Sequence, residues 1–273
     1  MIINNLLKYA FLCIFFLSNA QKEKYNSFID FNIFSGNIAR HNDDIAHLIQ
    51  GHPNGFILGW NKRVSGKKLW HSRYNSPEFG ASFVAQNFNS PTLGFSYGLY
   101  GHYNFYFFKR HLMLRVAQGI SYATNPYDKL ENPKNIAFGS DLLSGTYLML
   151  NYVRPQLFGP IGVQVGATLL HLSNANIKAP NTSINSVTFN IGLRASLETD
   201  TTTKELDIQE ETIDKKIMFG LLFRTGINQS DVVGTPQFPF YIFSAFAEKR
   251  LNPKSLIMIG GEYFNSKFLI DII

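Results

Sequence analysis

The sequence alternates between apolar and polar residues with a period of two over most of its length, and this pattern constrains its fold more than any other feature. Residues 91–108, PTLGFSYGLYGHYNFYFF, place leucine, phenylalanine and tyrosine at most odd-numbered positions, with Gly94, Ser96 and His102 among the residues between them. Successive side chains of a β-strand point to opposite faces, so this segment predicts a strand with one apolar face and one small, polar face. No long segment has a helical period, and we therefore expect an all-β fold.

The alternation recurs in eleven segments, and a polar stretch, ETDTTTKELDIQEETIDKK, divides them into eight and three. We expect eight core strands within residues 21–198, a linker or loop at 199–215 and additional strands at 216–273. The predicted strands are 27–35, 54–62, 78–87, 91–108, 112–122, 142–153, 159–173 and 185–197, followed by 216–227, 236–248 and 255–264.

The aromatic content and strand length favour a membrane environment for these strands. The chain has 25 Phe and 13 Tyr, with a mean hydropathy of -0.05. Segments of roughly ten residues with one apolar and one polar face are typical of antiparallel outer-membrane β-barrels, although a soluble β-sandwich also alternates. An odd total of eleven strands is unusual for such barrels, which have even numbers. Either a twelfth strand is missing from this assignment, or the chain ends early, since the final FNSKFLIDII lacks the expected terminal aromatic residue.

The N-terminus, MIINNLLKYAFLCIFFLSNA, predicts a signal peptide at residues 1–20 that is cleaved during export. Its single charge is Lys8, and its Cys13 is the only cysteine of the chain, so the mature protein has no disulfide or thiol chemistry. Without Lys8, the 25 Lys and Arg residues and 19 Asp and Glu residues give a net charge of about +5, which suits an anionic membrane surface. We expect no nucleic-acid partner and no cofactor.

Polar side chains at residues 171–185, HLSNANIKAPNTSIN, follow the apolar face of two predicted strands. Counting by twos from Ile161 and back from Leu197 places His171, Ser173 and Asn185 on the outward face at the rim of the barrel. Polar groups on a lipid-facing surface are costly, which favours a substrate that approaches from the membrane.

These residues have the chemistry of an acyl-transfer site. His171 and Ser173 lie two residues apart on one face and can act as base and nucleophile. Asn185 can accept the other imidazole proton and fix the tautomer. Asn174 and the backbone amide of Ala175 are candidate oxyanion or substrate contacts.

The His-x-Ser-Asn and Pro-Asn pattern of this segment resembles the lipid A 3-O-deacylase (PagL) family, small outer-membrane barrels also known as acyloxyacyl hydrolases. Residues 47–61, 76–94 and 125–140 are similar to the longer Bacteroidetes-type members. The resemblance covers roughly residues 25–200 and implies hydrolysis of an ester-linked 3-hydroxyacyl chain of lipid A in the outer leaflet. It implies His171 as base, Ser173 as nucleophile and Asn174 as oxyanion contact.

Two positions depart from the family pattern. The third catalytic residue of the family is Glu, whereas this chain has Asn185, and a glycine expected two residues earlier is Ser183. An amide orients the imidazole but cannot stabilise imidazolium by charge, so we expect reduced activity or none. An outer-membrane phospholipase and a non-catalytic pore or binding barrel therefore stay open as alternatives, and a homodimer is possible.

A histidine-rich stretch in the first predicted loop is a candidate metal site. It contains His41, Asp43, Asp44, His47 and His52. Their spacing matches no compact ligand motif, which favours a solvated surface loop. We expect no metal in this protein.

Overall fold

Eight antiparallel strands form a closed barrel in the computed structural model, which describes residues 27–64, 70–71, 74–197, 215–252 and 255–267. Each strand pairs with the next, and the eighth pairs with the first, so the barrel has no free edge. The prediction of eight core strands is confirmed. Their bounds are β1 Ser27–Ile38, β2 Asn54–Arg63, β3 Glu78–Asn87, β4 Phe95–Phe107, β5 Leu112–Ala123, β6 Leu142–Phe158, β7 Ile161–Ser173 and β8 Ile184–Ser196.

The three additional strands form a separate antiparallel sheet with β10 in the centre. Their bounds are β9 Ile217–Asn228, β10 Phe238–Asn252 and β11 Ser255–Ser266. Within the described residues, the eleven strands therefore divide into a closed barrel of eight and a separate sheet of three. The predicted signal peptide at 1–20 and residues 199–214 of the predicted linker lie outside the described residues. Within the part of the chain that the structure describes, no helix is long and apolar enough to cross a membrane.

The barrel strands turn their apolar residues outward and their polar residues inward, as the alternation predicts. In β8, Phe189 and Leu193 are exposed on the outer surface, whereas Asn190 and Arg194 are buried inside. Gln164, Asn190 and Arg194 all point inward and are buried, so side chains fill the described part of the barrel interior around them. Eight strands enclose an interior only wide enough for side chains to fill.

Buried ion pairs occupy the barrel interior. The Arg115 guanidinium donates to Asp30 at 2.7 Å, and neither side chain is exposed. The Arg194 guanidinium lies 2.7 Å from Glu78, which also accepts a hydrogen bond of 2.6 Å from the Tyr106 hydroxyl. Removing one partner of such a pair leaves an uncompensated buried charge and costs about 3–5 kcal/mol. These pairs join strands from opposite sides of the barrel, and buried apolar side chains such as Ile57, Val84 and Met149 pack in the same interior.

The long loops leave one end of the barrel and pack on one another there. They are residues 39–53, 88–94, 124–141 and 174–183, and the first contains a short 3-10 helix at Asp44–Leu48. The His47 Nε2 lies 2.8 Å from the Lys134 carbonyl oxygen, and the Thr182 amide donates to the Ile136 carbonyl at 3.1 Å. Apolar side chains close this end beneath the loops, namely Ile45, Leu48, Phe88, Leu93 and Phe138.

The facing of β8 can be tested by labelling adjacent residues in protein reconstituted into liposomes. A nitroxide attached to Phe189→Cys should be accessible to oxygen and shielded from a water-soluble nickel chelate, because Phe189 lies on the apolar outer surface. A thiol at Asn190→Cys should be unreactive in the folded barrel and reactive in urea, because Asn190 is buried. The opposite pattern would shift the register by one residue and turn the candidate site inward.

Candidate active site

The candidate site lies on the outer surface of the β7–β8 hairpin, at the barrel end that carries the long loops. His171 and Ser173 are among the last residues of β7, and Asn185 is the second residue of β8. The register of the hairpin pairs His171 directly with Asn185. All three side chains are half-buried and share the outward face with Val165, Leu169 and Val187. The structure thus places these residues where the alternation predicts.

His171 is oriented by Asn185. The His171 Nδ1 lies 2.8 Å from the Asn185 Oδ1. A carbonyl oxygen only accepts hydrogen bonds, so this contact requires the proton on Nδ1 and leaves the lone pair on Nε2. Among the described residues, the structure gives Nε2 no hydrogen-bond partner. The ring therefore presents its basic nitrogen away from Asn185.

Ser173 is hydrogen-bonded to Asn181, a residue whose role the sequence pattern does not predict. Its Oγ lies 3.1 Å from the Oδ1 and 3.0 Å from the Nδ2 of Asn181, and it accepts a hydrogen bond of 3.0 Å from the Ala175 amide. No hydrogen bond joins Ser173 to His171 within the described part of the chain. The Pro180-Asn181 pair was visible in the motif, but a Pro-Asn turn is common enough that it gives no role by itself.

The loop between β7 and β8 has a conformation that the side chain of Asn174 helps to fix. Asn174 is buried; its side-chain amide donates to the Lys178 carbonyl at 2.5 Å, and its Oδ1 accepts from the Asn176 amide at 3.1 Å. Its side chain is thus used within the loop, and its predicted oxyanion role stays a prediction. Ala175 and Asn176 have φ angles of 56° and 58°, in the left-handed region that non-glycine residues rarely adopt.

The backbone at Ser183 accounts for the glycine that the resemblance predicts at this position. It has a φ angle of 57°, so this position requires the left-handed backbone that glycine adopts without steric cost. The resemblance predicts a glycine here. The backbone conformation that leads into Asn185 is therefore the one that a glycine would favour, although the residue is serine.

Asn185 contacts a second histidine on its other side. The Asn185 Nδ2 lies 3.3 Å from the His41 Nδ1, and the His41 Nε2 lies 3.0 Å from the Thr182 carbonyl oxygen. His41 is in the first loop, as predicted, but it belongs to the candidate site and not merely to a solvated surface. The described residues contain no group of three or more potential metal ligands. No spacing in the sequence could indicate this contact, because closure of β1 on β8 creates it.

The separate three-stranded sheet contacts the site loop through its β9–β10 turn. The Gln229 amide donates to the Asn176 carbonyl at 2.8 Å, and the Gln229 Oε1 accepts from the Ala179 amide at 2.8 Å. Gln237 adds a hydrogen bond of 2.6 Å from its Nε2 to the Ile177 carbonyl. The C-terminal strands are thus joined to the loop that follows Ser173.

Comparison with known proteins identifies the family. The family model described as lipid A 3-O-deacylase (PagL) matches residues 54–194, just over half of the chain. The chain belongs to this family. The matched range includes His171, Ser173 and Asn185. The protein is therefore an outer-membrane β-barrel of a family of lipid A deacylases, and the predicted resemblance and location are confirmed.

Solved structures of small outer-membrane proteins are also similar. Neisserial surface protein A (NspA) is 13% identical, with 63% of this chain and 99% of that chain covered and a TM-score of 0.38. The outer-membrane enzyme PagL is 16% identical, with 60% and 97% covered and a TM-score of 0.38. Ail of Yersinia pestis is 12% identical, with 63% and 99% covered and a TM-score of 0.35. No curated protein matches the sequence.

Proposed function

We propose that the protein is a serine esterase that removes an ester-linked 3-hydroxyacyl chain from lipid A in the outer leaflet. The observation that carries this proposal is the 2.8 Å contact between His171 and Asn185 on the outer face of the barrel, two residues from Ser173. It supplies an oriented base beside a hydroxyl on a surface that lipid can reach. Membership of the PagL family supports the substrate class.

The proposed reaction begins with Ser173. Its hydroxyl turns from Asn181 towards His171, which lies on the same face of β7. Oγ attacks the ester carbonyl carbon as its proton passes to the His171 Nε2, and the carbonyl oxygen takes up negative charge. The tetrahedral intermediate then expels the sugar oxygen, which receives the proton from Nε2. The acyl chain is left as an ester on Ser173, and water releases it as a carboxylic acid with His171 again acting as base.

The backbone amide of Ala175 is the best-placed donor for the developing oxyanion. It already donates to the Ser173 Oγ at 3.0 Å, so it lies close to the oxygen that forms the new bond. Asn174 supports this donor by bridging the loop to the Lys178 carbonyl, and it is the second candidate oxyanion contact. Such donors contribute most when they are held in place before charge develops.

The outward facing of the site fits a substrate that lies in the membrane. Directly beneath the His171–Asn185 pair, Leu169 pairs with Leu148 and Val187 on the same outer face. These side chains give an acyl chain an apolar surface to follow, while the ester lies at the height of Ser173. A substrate can therefore reach the site by lateral diffusion within the outer leaflet.

The nucleophile and base can be tested in cells by mass spectrometry of lipid A. Expression of the protein should remove one 3-hydroxyacyl group from lipid A. Ser173→Ala or His171→Ala should each reduce this removal by at least about a thousandfold, because the two residues act as one catalytic unit and losing either costs nearly as much as losing both. Ser35→Ala, which removes an outward-facing hydroxyl of β1, is the matched control and should retain activity. Unchanged lipid A with released lysophospholipid would favour a phospholipase, and no release of either product would favour a non-catalytic barrel.

A double-mutant cycle tests whether His41 fixes the orientation of the Asn185 amide. Without His41, the Asn185 amide can rotate and donate from its Nδ2 to the His171 Nδ1. This contact favours the His171 tautomer that carries its proton on Nε2, and that nitrogen then has no lone pair to accept the serine proton. His41→Ala should therefore lower kcat about five- to tenfold with little change in KM, the size of one lost hydrogen bond. Asn185→Glu supplies a carboxylate that accepts in either orientation and should hold or raise kcat.

The effect of His41→Ala should largely disappear in the Asn185→Glu background, because a carboxylate needs no partner to set its orientation. His47→Ala is the matched control, since His47 also bridges two backbone carbonyls of the long loops but does not contact Asn185. An equal loss from His41→Ala in both backgrounds would show that His41 acts on the loop as a whole and not through Asn185.

A further inference from the structure

A row of polar side chains crosses four strands on the outer surface of the barrel. The strand register pairs Gln118 with Thr146, Thr146 with His171, and His171 with Asn185. Ser144 lies beside this row as the direct cross-strand partner of Ser173. The row of polar side chains therefore extends from the candidate active site on β7 and β8 across β6 to β5.

The three residues beyond β7 form one hydrogen-bonded cluster. The Gln118 Nε2 donates to the Ser144 Oγ at 3.0 Å, and the Thr146 hydroxyl donates to the Gln118 Oε1. We call Gln118, Ser144 and Thr146 the β5–β6 polar patch. The patch faces outward, because Val116 and Ile120 on one strand and Leu148 on the other lie on the same side of the barrel and are exposed.

Apolar side chains surround the patch above and below, so it is not the edge of the hydrophobic belt. Below it, Val116 pairs with Leu148. Above it, towards the loops, Ile120 and the pair of Tyr122 with Leu142 continue the exposed apolar surface. Polar side chains enclosed by a lipid-facing apolar surface are costly and indicate a functional site.

The chemistry of the patch defines what it can bind. It contains one carboxamide and two hydroxyls, which donate and accept hydrogen bonds but carry no charge. Such a set suits hydroxyl, ester or amide groups, whereas phosphate recognition relies on Arg, Lys or a helix N-terminus. On its far side the row ends at Gly101 of β4, where a side chain would meet open space, so a ligand is not obstructed there.

The distance between Ser173 and the patch limits which group of the substrate the patch can bind. Residues directly opposite on neighbouring strands have Cβ atoms about 5 Å apart. An acyl carbonyl at the Ser173 Oγ has its 3-position only two carbons further along the chain. A hydroxyl at that position therefore comes within reach of Ser144 and Thr146.

We propose that the β5–β6 polar patch is a specificity subsite that hydrogen-bonds the 3-hydroxyl of the acyl chain whose ester is cleaved at Ser173. This inference rests on the proposed function and adds the group that selects the chain. A polar site enclosed by an apolar surface discriminates against a chain that lacks the hydroxyl, because that chain offers the side chains of the site no hydrogen bond.

The subsite can be tested with two lipid esters that differ only in the 3-hydroxyl group. The variant combines Gln118→Leu, Ser144→Ala and Thr146→Val, which preserve shape and remove the hydrogen-bonding groups. The wild-type protein should prefer the hydroxylated ester, and the triple variant should lose this preference by about tenfold in the ratio of kcat/KM, since each neutral hydrogen bond contributes modestly. Its kcat/KM for the unsubstituted ester should stay within about twofold. Ser35→Ala is the control for loss of an outward hydroxyl elsewhere, and heat-modifiable migration of each variant verifies folding.

A binding measurement separates this proposal from the proposed function. In the Ser173→Ala background, affinity for a detergent-dispersed 3-hydroxyacyl glucosamine lipid should fall about tenfold when the patch is replaced, while affinity for the unsubstituted lipid should be unchanged. If the wild-type protein hydrolyses neither ester, the esterase proposal fails and the binding result still decides the subsite. An identical preference and identical affinities with and without the patch would overturn the subsite.

Discussion

Closure of β1 on β8 is the constraint on which the rest of the structure depends. A sheet that lies in lipid must satisfy its backbone hydrogen bonds internally, and only a closed barrel leaves no edge. Because side chains alternate with a period of two, closure in one register decides which half of each strand faces lipid. It places Asn185 outward next to His171, and it brings the loop after β1, with His41, against the start of β8.

The packed interior of the barrel makes its outer face rigid. Two buried, charge-assisted pairs, Arg115 with Asp30 and Arg194 with Glu78, connect strands across the barrel. An external site on such a barrel gains rigidity from residues that never approach the substrate. The left-handed residues Ala175 and Asn176 need similar support, and Gln229 supplies it from the separate sheet by bonding the backbone of the loop at Asn176 and Ala179.

The sequence predicts the features that depend on the alternation of side chains within one strand. It does not predict those that depend on how strands far apart in the chain pair with one another. Alternation gives the eight barrel strands and the outward facing of His171, Ser173 and Asn185, because each follows from counting by twos within one strand. His41 lies 144 residues from Asn185 and is found only once the barrel is closed. The row of polar side chains from Gln118 to Asn185 cannot be predicted from the sequence either, because it depends on the pairing registers of three strand pairs. The alternation also does not show how the interior is filled, since the packing of long side chains such as Arg115 and Tyr147 depends on contacts across the barrel.

The amide of Asn185 has only one of the two effects that a carboxylate would have on His171. A carboxylate both selects the Nδ1 tautomer and stabilises the imidazolium that forms when the base takes a proton. Asn185 can have only the first effect, and it does so only if its carbonyl faces His171. The contact with His41 supplies that condition in the tautomer whose Nε2 donates to the Thr182 carbonyl, because the His41 Nδ1 then accepts from the Asn185 Nδ2 and Oδ1 faces His171. In the proposed mechanism, stabilisation of the imidazolium then depends on the other surroundings of the ring, which is half-buried at the outer rim. In the proposed mechanism, His171 is thus a base that two neutral partners orient, and its imidazolium is stabilised less than it would be beside a carboxylate.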